Sequence, residues 1–113
     1  MFRTFLLSVR PSEDSFRSLE QRAIKEGLTN ILGTGSAVAV IVNFNLDELS
    51  DDGPSLHRSL FGLFGTSATE VLEREIVRIL YEKIGVSAPP SKKFDFVSAL
   101  KRARQIRKNQ LQS

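Results

Sequence analysis

The sequence predicts an all-α fold, a compact bundle of about five helices with two helix-Gly-cap-helix corners, and three observations carry that prediction. Apolar residues recur at helical spacing in three long stretches, from Phe16 to Leu32, from Leu72 to Ile84 and from Phe96 to Ile106. Gly33 and Gly65 each stand where one such pattern stops and another starts within a few residues. Cap residues also stand at the expected starts: Ser12, Ser67 and Asp95. With 113 residues, 41% hydrophobic and 26% charged, the chain has the composition of one globular domain. A domain of this size buries roughly two thirds of its unfolded surface, so it needs neither a disulfide nor a metal to hold a core.

In chain order, Phe2 to Val9 is too short an apolar run for periodicity to decide, and a short helix is favoured over a strand. It is shorter than a signal-peptide core and no small-residue cleavage pattern follows, so no targeting segment is expected. Ser12 then caps a helix through Phe16, Leu19, Ala23, Ile24, Leu28, Ile31 and Leu32 that ends at Gly33. Ala37 to Val42 is apolar and β-branched, which suits a strand. Its position after a cap, among helical neighbours, favours a buried helix reaching about Leu49. That six-residue run is far below the ~20 residues a membrane span requires.

"SDDGP" is a loop with Asp52 or Gly53 as cap and Pro54 opening a helix whose apolar stripe is Leu56, Leu60, Leu63 and Phe64. Gly65 ends that helix, since Gly alone adopts the left-handed conformation without a clash. Ser67 and Glu70 then form a Ser-x-x-Glu capping box for the next helix. This is the longest amphipathic helix, with Leu72, Ile76, Ile79, Leu80 and Ile84 inward, Val71 at the border and Gly85 at the end. Glu70, Glu73, Arg74, Glu75, Arg78, Glu82 and Lys83 make its solvated outer face. "SAPPSKK" is a linker. Residues 1–91 thus form the helical core, and 92–113 a basic helix, capped by Asp95, that packs on it and ends in a frayed tail.

Charge is asymmetric. From Lys92 to Lys108 seven residues are basic and Asp95 alone is acidic, a local charge of +6, while residues 1–91 carry −3. Lys101, Arg102, Arg104, Arg107 and Lys108 are therefore candidate contacts for nucleic acid or for an acidic partner. An intramolecularly paired or merely solvated face is the favoured alternative, because no aromatic residue interleaves the basic run for base stacking. A helix-turn-helix reading of Leu56 to Ile84 places Glu70 and Glu73 at the groove, where phosphate repels them.

Catalytic signals are thin. Cys is absent, which fits a cytoplasmic chain and excludes thiol chemistry and the common Cys/His zinc sites. His57 beside the acidic loop of Asp47, Glu48, Asp51 and Asp52 has neither a second His nor a nucleophile at a defined spacing, so a surface role is favoured over a metal or general-base site. "GTGS" at Gly33 to Ser36 lacks the Lys and the strand of a phosphate loop. No enzyme activity, cofactor or metal is expected.

The stretch "LHRSLFGLFGTSATEVLEREIVRILYEKIGV" followed by "FDFVSALKRAR" resembles a family of short archaeal helical domains of uncharacterised biochemistry, related to the Nitrosopumilus output domains of archaeal signalling proteins. The resemblance spans about Leu28 to Ala103 and rests on Leu63, Phe64, Gly65, Val71, Leu72, Glu73, Leu80, Tyr81, Lys83, Ile84, Gly85, Asp95 and Phe96. These are packing and capping residue types. The resemblance implies an all-α domain, alone or joined to sensory and regulatory modules. The function expected on both grounds is a non-enzymatic interaction or signal-output module, a homodimer that uses Phe2, Phe5, Leu6 and Phe61, with a nucleic-acid-binding regulator as the alternative.

Overall fold

The computed structural model describes residues 13–88 and 93–112, and among them every regular element is helical. Four helices are present among the described residues: α1 Glu13–Leu32, α2 Thr34–Asn43, α3 Gly53–Lys83 and α4 Phe96–Gln112. The sequence reading expects about five. The difference lies at Gly65, where two expected helices run on as α3 with one non-helical residue between them. The Phe2 to Val9 segment lies outside the described residues.

Two glycines create the corners by the same backbone conformation. Gly33 has φ 90° and ψ 159°, and Gly65 has φ 77° and ψ −177°, a region open essentially to Gly alone. Gly33 serves both helices. Its N–H donates to Thr29 O at 2.9 Å, closing α1, and its carbonyl accepts from Ala37 N at 3.0 Å, opening α2. The Ser67–Glu70 capping box is not formed: the hydroxyl of Ser67 has no hydrogen bond among the described residues, and Glu70 accepts from Arg74 Nε at 2.8 Å. Gly65 itself stands at the break, so the restart lies two residues before the expected cap.

The α3 end is a Schellman motif. Gly85 is the left-handed residue at φ 80°, Val86 N donates to Tyr81 O and Gly85 N to Glu82 O, both at 3.1 Å. The same motif stops α2 earlier than the expected Leu49. Asn45, at φ 53°, takes the left-handed place, and Leu46 N donates to Ile41 O at 3.0 Å. Asn is the side chain that best tolerates this conformation after Gly, and the buried Leu46 anchors the turn.

The helices pack as a chain of neighbours: α1 on α2 and on α3, and α3 on α4. Ala23, Ile24 and Leu28 of α1 meet Leu56, Leu60, Leu72, Ile76 and Leu80 of α3 in one buried cluster that also takes in Phe96, Leu100 and Ala103 of α4. Gly27 sets the closeness of α1 to α3, since a Cβ there would lie 2.8 Å from Ile76 Cγ1. At the rim Lys83 Nζ donates to Glu26 at 2.8 Å, and Asn30 Nδ2 to Glu75 at 2.9 Å. The Tyr81 hydroxyl donates to Ala99 O at 2.8 Å and ties α3 to α4.

Several residues expected in the core are not in it. Ile31 and Leu63 are exposed, each standing just before a corner where the chain leaves its helix axis. The expected buried helix at 37–49 is a surface helix: of α2 only Ala37 and Ile41 are buried, while Val42 is 67% exposed. α4 continues to Gln112, and Gln110 Nε2 donates to Ile84 O at 2.8 Å.

Candidate functional site

Asp52 starts α3 by accepting from Ser55 N at 3.1 Å and from the Ser55 hydroxyl at 2.9 Å, which holds its carboxyl below the usual range. His57 follows in the first turns. The bend at Gly65 then carries the second arm of α3 back against the first, and the hydroxyl of Thr69, buried, donates to Leu60 O at 3.0 Å across it. As a result Glu73, sixteen residues beyond His57, meets the imidazole, with Nδ1 to Oε2 at 2.6 Å. Glu73 is 3% exposed rather than on the solvated face expected of it. Burial pushes its carboxyl above the ordinary value, and the hydrogen bond with His57 opposes that rise.

A cleft of about 350 Å3 opens beside this pair, lined by Phe61, Thr66, Glu70, Phe94 and Asp95 among others. The Phe61 ring stands 6.0 Å from the imidazole, tilted. A carboxylate on Nδ1 fixes the ring and leaves Nε2 for other partners, the arrangement a general base uses. The Thr69 hydroxyl in the lining is taken by Leu60 O. Among the described residues no group of three or more His, Asp or Glu side chains is placed to hold a metal ion. The acidic loop is not gathered about His57: Asp51 pairs with Arg17 at 3.7 Å and Asp52 is the helix cap.

The basic residues of α4 divide into two sets. Arg104 turns onto the body, with its guanidinium 3.3 Å from the buried Glu20 and 4.7 Å above the Phe16 ring. Arg107 is partly buried and donates to Gln110 at 3.3 Å. Lys101, Arg102 and Lys108 are exposed. Arg104 thus helps attach α4 to α1.

Of the expected self-association residues, Phe2, Phe5 and Leu6 lie outside the described residues, and Phe61 is 47% exposed on the first arm of α3. Sequence reading missed a second apolar surface. Val38 and Val42 share one side of α2 with Gly35 and Ala39, all exposed, while Ile31 and Phe44 flank the helix and are exposed too. From Gly27 to Leu46 the chain has no charged side chain, which was the available signal.

Comparison with protein families, curated proteins and solved structures finds no match for this chain.

Proposed function

We propose that the protein is a non-enzymatic helical interaction module that pairs with a second copy of itself through the outer face of α2. One observation carries the reading: the most apolar helix of the fold keeps Val38 and Val42 in solvent, whereas a helix apolar on all sides is ordinarily buried. The lack of charge selects the occupant. In a two-fold contact each group meets the same surface of its partner, so a charged patch repels itself and an uncharged one does not. Gly35 and Ala39 are small enough to let two such helices approach closely. One ten-residue helix with flanking Ile31 and Phe44 makes a small interface, so the pair is a weak, concentration-dependent one. A module of this kind is compatible with the short helical domains that the sequence resembles, which occur alone or joined to sensory and regulatory modules.

The alternative is a nucleic-acid-binding regulator acting through α4, and the engagement of Arg104 with Glu20 reduces its support. Light scattering after size exclusion, over about a hundredfold range of concentration, separates the readings. The proposal expects dimers at the upper end that persist in high salt and vanish in Val42→Glu. A monomer throughout that shifts with nucleic acid only at low salt would favour α4 instead.

A further inference from the structure

Beside the acidic cleft, and sharing Phe94 and Asp95 with it, lies a second cleft of about 380 Å3 of the opposite character. Its rim carries Arg74 and Arg78 of α3, Arg102 of α4 and Lys93, and Val77 and Ala99 form apolar wall between them. The volume falls within the range of small-molecule sites.

Two of the arginines, Arg74 and Arg102, are only partly committed. Arg74 gives Nε to Glu70 at 2.8 Å and lays its guanidinium 4.6 Å above the Phe94 ring, so its two η nitrogens have no hydrogen bond among the described residues. Arg102 is exposed and makes no hydrogen bond or ion pair among them. Arg78 is turned to Glu75, with contacts of 3.0 and 2.8 Å. Asp95 is the one carboxylate in the lining, and it accepts from Ser98 N at 3.2 Å as the cap of α4, which directs its charge to the helix amides.

We propose that this cleft binds a phosphate monoester with an apolar body. Guanidinium groups approaching from two different helices can take separate edges of a tetrahedral oxyanion, whereas a planar carboxylate is satisfied by one. The apolar wall of Val77, Phe94 and Ala99 then covers the ester group. Neither the α2 face nor its pairing enters this site.

Phenyl phosphate is the probe, titrated into the full chain and followed by amide and arginine Nε–H chemical shifts. Saturable shifts centred on Val77, Phe94, Ala99 and Arg102 are expected, with inorganic phosphate and benzoate each about tenfold weaker. Arg102→Gln should weaken phenyl phosphate about tenfold, whereas Lys108→Gln, exposed on the same helix, should leave it unchanged. Equal losses in the two variants would mean diffuse attraction and overturn the proposal. So would inorganic phosphate binding as well as phenyl phosphate, or shifts centred elsewhere. Because both side chains are solvent-exposed, an unchanged melting curve confirms that each variant folds.

Discussion

His57 Nδ1 lies 2.6 Å from Glu73 Oε2, joining the two arms of α3 across the bend at Gly65. Burial raises the Glu73 carboxyl above its ordinary 4.5, so the folded chain holds this proton more tightly than the unfolded chain. The contribution of Glu73 is then most favourable below that value and declines as pH rises through the raised one. Glu73→Gln mimics the protonated form. Its urea stability relative to the parent should improve as pH increases from about 4.5 towards neutrality, and a constant difference would contradict this.

Two residues along the same helix the sign reverses. Glu75 accepts from Arg78 and from Asn30, and these bonds lower its carboxyl from 4.5 to about 2. Stability from this group is present above 4.5 and lost as pH falls towards about 2. Thermal melts of the parent and of Glu75→Gln should converge through that window. A parent advantage that persists at the acid end would show that the contacts act without the carboxylate charge.

The glycines should separate into three classes on substitution by Ala. At Gly33 and Gly65 an added Cβ has nothing within 4 Å, so the cost is backbone strain alone, about 1–3 kcal/mol each. Gly27→Ala meets Ile76 at 2.8 Å and costs about 1–3 kcal/mol by overpacking the seam of α1 and α3. Gly62 has ordinary helical φ and open space, and there Ala should stabilise by about 0.4–1 kcal/mol. Urea denaturation reads all four, and a neutral Gly65→Ala would count against the corner as described.

The α2 pairing predicts a position-dependent loss of dimer. Val42, at 67% exposed, contributes little to the folded monomer, so Val42→Glu should abolish association while moving the melting midpoint hardly at all. Phe61→Glu should leave the dimer intact, because Phe61 stands beside His57 on α3. The reverse result would move the interface to the acidic cleft.

Local signals had made much of the architecture legible. Helical spacing marks α1, the second arm of α3 and α4, and Leu72, Ile76, Ile79, Leu80 and Ile84 are all buried as their pattern requires. Asp95 caps α4 through Ser98 N, and the recurring Gly at 33 and 65 announces a shared corner, since its conformational freedom is a property of the residue itself. Asn45 is an equally local stop signal, masked in the sequence by the β-branched run before it, whose pattern is that of a buried element.

What the sequence by itself determined, then, is a set of helices, their stops and their inward stripes, all of which depend on contacts within a few residues. Tertiary structure alone decided which charged residue enters the interior and which apolar residue stays out. Glu73 reads as one more carboxylate of a solvated face until the bend brings His57 against it. Val38 and Val42 read as core until α2 is laid on α1 by one side only. Both outcomes follow from the angle at a glycine corner, which sets what each face meets and which no periodicity along the chain encodes.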